Sequence, residues 1–194
     1  MPKGKDIGKL LTPLRNAATQ AFFGKGLHTL GLLHWLLPQT GRADVWVSSY
    51  STSEPFLNGI VLMRQKDLIG HSAILLDQRA ARKTLKLESL LSNAFEHVYL
   101  GQNHSKVLLL KGEVMKVSVI TSQNQTYGQR VESTIITTEP QVFDVLQQQF
   151  ILTCNIGAVE IDVKNGKGII TGDREAGKTT SHSLPDWQPF GADW

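Results

Sequence analysis

The sequence predicts an α/β fold with a layered sheet, and three observations predict it. Short β-rich runs alternate with helical stretches between residues 44 and 100, the pattern that crossover connections produce. Residues 104–121 read as a hairpin, with apolar strands HSKVLLL and VMKVSVIT around the turn KGE. The composition, 41% hydrophobic and 19% charged over 194 residues, is that of a chain able to bury one core.

The elements follow in order. Residues 1–9 form a basic leader, and no long apolar run follows that would make it a secretory signal. Apolar residues at 10, 11, 14, 17, 18, 21 and 22 have helical spacing over 10–23. Thr12 as N-cap before Pro13 is an alternative start. Gly24 and Gly26 break this helix, and residues 27–37 predict a second, apolar nearly all round and ended by Pro38. Such a helix lies in the core or against a partner chain. It is about half the length a bilayer span requires.

The run VWVSSY at 45–50 predicts a strand, and Ser53, Glu54 and Pro55 open a helix to about 65. HSAILLD at 71–77 is a second strand, basic residues 78–86 lead into a helix to about 94, and 95–100 is a third strand. A strand at 131–137 and a helix at 140–151 complete the layer. Residues 158–163 and 168–171 flank Asn165 and Gly166, a strong hairpin signal. A polar tail with Trp187, Phe190 and Trp194 follows, read as a loosely ordered segment that docks by its aromatics. The expected organisation is a leader with helices at 1–40, a main α/β domain at 41–153, and a hairpin with tail at 154–194.

Charge and cysteine content bound the chemistry. The net charge of +3 permits an anionic partner without requiring one. The single cysteine, Cys154, excludes an internal disulfide and a thiolate zinc cluster, and its expected role is a small packed residue near a helix end. A soluble, cytoplasmic protein is expected, with no membrane contact.

Two motifs compete for function. Gly172 to Thr179 fits the G-x-x-x-x-G-K-[ST] phosphate loop. That loop needs a following helix whose amides hold the phosphates, and TSHSLPD follows instead. The match reads as a coincidental glycine-rich loop. The other motif is the open end of the hairpin. His104 and Lys106 share a strand face, as do Ser122 and Asn124, and pairing across the turn returns all four to one end. An imidazole, an ammonium, a hydroxyl and a carboxamide together suit a phosphate. Glu132 then begins another buried strand.

The order His104-x-Lys106, Ser122-x-Asn124 and Glu132 before STII resembles the phospholipase D superfamily, above all its single-motif nuclease branch. The similarity covers about residues 44–151. It implies a phospholipase-D-like mixed sheet flanked by helices, with the N-terminal helical segment and C-terminal hairpin and tail outside it. It departs from the family where an Asp is usual five positions after the lysine, which here is Lys111, and where Thr121 replaces a glycine.

The resemblance also implies a chemistry. His104 attacks phosphorus to give a phospho-histidine intermediate, Lys106 and Asn124 bind the phosphoryl oxygens, Ser122 adds a hydrogen bond, and Glu132 orients a histidine. No metal or other cofactor is expected. A second histidine is needed as general acid, and none of His28, His34, His71, His97 or His182 has a lysine two positions on. A homodimer that shares one site is therefore expected. The expected substrate is nucleic acid, DNA ahead of RNA, cut by an endonuclease. A silent nucleic-acid-binding or assembly module is the alternative, and a phospholipase ranks below both. The basic residues Arg79, Arg82, Lys83 and Lys86 are either a solvated face or contacts to a phosphate backbone.

Overall fold

The structure is a computed structural model and describes residues 7–80, 85–125 and 130–161. Eight strands form one mixed sheet: β1 (Thr19–Gly24), β2 (Ala43–Ser49), β3 (Ile69–Asp77), β4 (His97–Gly101), β5 (Val107–Gly112), β6 (Lys116–Thr121), β7 (Glu132–Thr137) and β8 (Ala158–Glu160). The spatial order is β1-β7-β6-β5-β2-β3-β4-β8. Strands β2, β3 and β4 are parallel to one another, and every other pair is antiparallel. Helices α1 (Thr29–Thr40), α2 (Glu54–Gln65), α3 (Glu88–Ala94) and α4 (Pro140–Gly157) cover the two faces. The α/β, mixed-sheet expectation is met.

Strand alternation divides the core. Val45, Val47, Ile74, Leu76, Leu108, Leu110, Val117 and Val119 point to one face and pack with Leu32, Leu33 and Leu36 of α1, Leu57 and Ile60 of α2 and Leu91 of α3. Trp46, Ala73, Leu75 and Tyr99 point to the other face, against Phe150 and Cys154 of α4. Trp46 meets Phe143 edge to face, with centroids 6.1 Å apart. Ile7, Leu11 and Leu14 enter the first cluster, so residues before 40 share the core of those after it. Cys154 is packed as expected, and burial pushes its thiol up to about 12.

Three local expectations are corrected. Residues 10–23 are not a helix. A single turn closes from Ala17 N to Pro13 O, and β1 then pairs antiparallel with the edge of β7. Leu11 and Leu14 are buried from a folded-over segment that Gln20 holds through both the N–H and the carbonyl of Thr12. Their spacing imitated a helix while Phe22, half-buried, and Phe23, exposed, alternated as in a strand.

Pro38 does not end α1, which runs two residues further. Its ring removes the donor to the carbonyl of His34, and both residues are on the exposed side of the helix. Gly41, at φ 75°, makes the actual stop and returns its N–H to Leu37 O at 3.0 Å. The hairpin turn lies at 113–115 instead of 111–113. Gly112 still pairs with Ala43, and Glu113 N and Val114 N bond to Arg42 O and Thr40 O, which pulls the chain onward before it turns.

α4 extends past residue 151 to Gly157 and leads into β8, the first half of the expected hairpin. That hairpin's second half, the phosphate-loop match, the aromatic tail, Arg82 and Lys83 lie outside the described residues. No helix among the described residues is long and apolar enough to cross a membrane.

The far end of the sheet, where β3 and β4 begin, carries a charged triplet. Glu96 accepts from His71 Nδ1 at 2.9 Å and from Arg64 Nη2 at 3.1 Å. The hydrogen bond and charge of Glu96 raise the His71 pKa above its ordinary value. Burial alone would raise Glu96, but the bond and charge of His71 and the charge of Arg64 hold it below its usual range. The histidine's contribution is complete below its unfolded pKa of about 6.5 and fades as pH rises through the higher folded value. The carboxylate's is complete above about 4.3 and fades as pH falls through the lower folded value. Thermal melts of His71→Gln should therefore lose less stability than the unmodified chain between pH 6 and 8. Identical slopes would contradict the pairing.

Candidate active site

The site lies where β2 and β3 end and β5 begins, at the rim where the strand order switches from parallel to antiparallel neighbours. Open α/β sheets form crevices at such points. His104 and Lys106 sit in the segment that enters β5, since pairing starts only at Val107. His104 is exposed and Lys106 half-buried. Lys106 Nζ donates to the carbonyl of His104 at 2.7 Å and lies 3.4 Å from its Nδ1. Burial lowers the Lys106 pKa, and the charge of Glu132 partly restores it. The Tyr50 ring meets His104 edge to face, with centroids 5.6 Å apart.

The segment is held by its alternate residues. Asn103 is buried, and its amide nitrogen donates to Ser48 Oγ, Ser49 O and Leu75 O at 2.9, 3.2 and 3.1 Å. Its Oδ1 accepts from Ser105 N at 3.0 Å and Ser105 Oγ at 2.7 Å. The buried carboxylate of Asp77, at the end of β3, accepts from Asn103 N at 2.9 Å and Arg79 N at 2.7 Å. Asn103 thus ties the ends of β2 and β3 to the start of β5. With Asn103 buried and Ser105 bonded back to its side chain, the segment holds His104 exposed and Lys106 half-buried.

Ser122 and Glu132 form the other half. The Ser122 hydroxyl donates to the Glu132 carboxylate and accepts from Ser133 N at 3.0 Å. Thr121 N bonds to Lys106 O at 3.0 Å, which closes the hairpin at the predicted end. The loop after β6 is pinned to the loop after β2 by Ser53 Oγ to Gln125 O at 2.9 Å, Gln125 N to Ser49 Oγ at 3.2 Å, and a parallel bridge between Thr52 and Gln125. Asn124 sits in this loop. Its Oδ1 is buried and makes no hydrogen bond among the described residues, and neither does either amide atom of Gln125. Buried unpaired groups cost about 1–3 kcal/mol each, so polar capacity at this rim is left unsatisfied by the described residues.

The structure therefore places His104 with Lys106, and Ser122 with Glu132, with the Glu132 charge felt at Lys106. It forms no hydrogen bond from Asn124 to the other four, and Glu132 bonds a serine instead of a histidine of its own chain. The other described histidines are engaged elsewhere. His28 caps α1 by accepting from Gly31 N, His34 lies on the exposed side of α1, and His71 and His97 pair with Glu96 and Glu160. Lys111, where the resemblance expected an Asp, is exposed on β5 opposite Asp44, away from the rim. The residues that sequence reasoning missed are Asn103, Asp77 and Ser48. Asn103 looked like a turn residue after Gly101 and Gln102, and Asp77 like a strand terminus. Their only signal was a buried-strand context for polar residues. Among the described residues no group of three or more His, Cys, Asp or Glu is placed to hold a metal ion.

No family model matches the sequence, and no curated protein is recognisably similar to it in sequence. Solved structures are similar in fold. A phospholipase D family member, Nuc from Salmonella typhimurium, superposes with a TM-score of 0.55 at 14% identity, over 72% of this chain and 96% of that one. NucT from Helicobacter pylori gives 0.54 at 14% identity, over 72% and 98%. Polyphosphate kinase from Porphyromonas gingivalis gives 0.57 at 10% identity, over 76% of this chain but only 28% of that one.

Proposed function

We propose that this chain, whose fold is that of the phospholipase D superfamily, is a phosphodiesterase acting on nucleic acid, DNA ahead of RNA, in a site shared by two copies. The observation that carries the reading is the joining of His104 and Lys106 to Ser122 and Glu132 at one rim of that fold.

The steps balance. A ring nitrogen of His104 attacks phosphorus, the bond to the leaving oxygen breaks, and a histidine of the second copy supplies that oxygen's proton. Water then attacks the phospho-histidine, giving a proton to the second copy's histidine that lost one in the first step, and the bond from nitrogen to phosphorus breaks to free the ring. Lys106 and Asn124 offset the charge that gathers on the non-bridging oxygens, where one such donor is worth on the order of 3 kcal/mol. Lys106 must leave the His104 carbonyl to do so. Ser122 hydrogen-bonds the phosphoryl group, and Glu132 accepts from a histidine ring once Ser122 turns to substrate. No step in the scheme requires a metal ion, and none involves a membrane.

The test is incubation of the protein with single- and double-stranded DNA and RNA in excess EDTA. Cleavage that persists in chelator is expected, together with a dimer by sedimentation at micromolar concentration. Cleavage abolished by EDTA contradicts the scheme, and a monomer that still cuts contradicts the shared site. Binding without cutting would instead favour the silent-module reading, for which Lys111 is the sequence argument.

A further inference from the structure

The charges of the described residues are distributed unevenly along the strands. The Lys and Arg ion pairs, Arg42–Asp67, Arg64–Glu96 and Lys116–Asp144, all lie toward the end where β2, β3, β4 and β6 begin. At the opposite end, with His104, stand Lys25, Arg79, Lys106 and Arg130. None of these four is paired with a carboxylate among the described residues. The carboxylates there are Asp77, buried in the Asn103 network, Glu132, bonded to Ser122, and Glu54 and Glu88 in the first turns of α2 and α3.

One corner of this rim adds an aromatic. Gly24 of β1 pairs with Glu132 of β7, so Lys25 and Arg130 lie just beyond the ends of two adjacent strands. Phe23 pairs opposite Ser133, whose N–H is bonded to Ser122. Phe22 packs into the core, whereas Phe23 is 82% exposed. Val131, Ile135 of β7 and Ile120 of β6 are also partly exposed nearby, and exposed apolar side chains are individually ordinary. An exposed phenyl beside two cations without carboxylate partners among the described residues, next to a phosphate-binding constellation, is the composition that binds single-stranded nucleic acid, with stacking on the ring and cations on the backbone.

We infer that the β1–β7 corner is a subsite for an unstacked nucleotide of a single-stranded nucleic acid, Phe23 stacking its base and Lys25 and Arg130 holding flanking phosphates. The inference rests on the phosphodiesterase reading for its register. β1 lies two strand spacings, about 10 Å, from β6 and Ser122. β5 and His104 lie one strand spacing further, so the stacked base belongs to a nucleotide a short way along the strand from the phosphate held by His104. A duplex keeps its bases stacked internally and gains nothing from Phe23. A protein partner would instead supply carboxylates to Lys25 and Arg130 and would show no preference between single strand and duplex.

The experiment is fluorescence anisotropy with a labelled oligothymidylate and a labelled duplex, in EDTA, across a salt titration. His104→Asn is the common background, so that binding is read without cleavage. Phe23→Ala should weaken oligothymidylate binding about tenfold or more at every salt concentration, leave the salt slope unchanged and leave duplex binding unaffected. Phe23→Trp should bind at least as tightly as phenylalanine. Lys25→Gln with Arg130→Gln should lower the slope of log K against log salt by about 1.4, about 0.7 for each lost phosphate contact. In chains that retain His104, hydrolysis of bis(p-nitrophenyl) phosphate should be the same with and without these changes. Equal weakening of single strand and duplex by Phe23→Ala, or an unchanged slope in the double variant, overturns the subsite. Loss of diester hydrolysis in the unmodified chain would overturn the catalytic reading and leave the binding result standing.

Discussion

His104→Ala should lower phosphodiester cleavage by on the order of 10³-fold or more, since the residue that forms the covalent intermediate has no substitute within reach. The variant should remain folded, because His104 is exposed and its side-chain contacts are to Lys106 and the Tyr50 ring. Melting within about a degree of the unmodified chain is the expected control. Lys106→Ala should lose about 10²-fold in kcat, the worth of one oxyanion donor. If Lys106→Ala raised KM alone, the lysine would bind substrate without favouring the transition state. Cleavage by His104→Ala at the original rate would remove this site from consideration.

Asn103→Leu should have the second large effect, and on two quantities at once. The leucine matches the volume but strands Ser49 O, Leu75 O and the Ser105 N–H without their bonds to the Asn103 side chain, while Ser48 Oγ keeps its bond to Ser105 Oγ. With buried unpaired groups costing about 1–3 kcal/mol each and local relaxation recovering part, a loss of roughly 3 kcal/mol is expected in denaturant unfolding. Asn103→Asp should fare no better, because it cannot donate to the Ser49 and Leu75 carbonyls and sets a second carboxylate beside Asp77. At temperatures where both variants are fully folded, kcat should still fall at least tenfold, because the Asn103 side chain ties the segment that carries 104 and 106 to the ends of β2 and β3. Stability lost with kcat unchanged would reduce Asn103 to a packing residue.

The parts of this molecule that were legible in the sequence are those where one signal dominated. The apolar strands of β2, β3 and β5 announce themselves because both faces are buried, and Ser53, Glu54 and Pro55 mark the start of α2 by their own chemistry. The hairpin end was legible because strand alternation and register follow from spacing alone, and pairing Val107 with Ile120 brings positions 104 and 122 to one end. A two-residue shift of the turn did not disturb that.

The rest was hidden for physical reasons. β1 is an edge strand with alternating exposed and half-buried residues, so its pattern is weak and the leucines before it overwrote it. Pro38 misled because a proline whose lost partner faces solvent does not stop a helix. Asn103 and Asp77 escaped because their importance lies in tertiary hydrogen bonds between strand ends that are far apart in sequence. Nothing in GQN before the histidine distinguishes a turn from a clasp. Phe23 belongs with these, since its meaning depends on the pairing of β1 with β7.

The central claim is that His104 becomes covalently attached to phosphorus during cleavage. The direct measurement is to mix the protein in EDTA with an excess of DNA carrying radiolabelled internal phosphates, quench in alkali within the first turnover, and map the labelled peptide by mass spectrometry. The account predicts label on His104, present during turnover and lost as product accumulates. Cleavage with no protein-bound phosphorus at any time, or label on another residue, would contradict it.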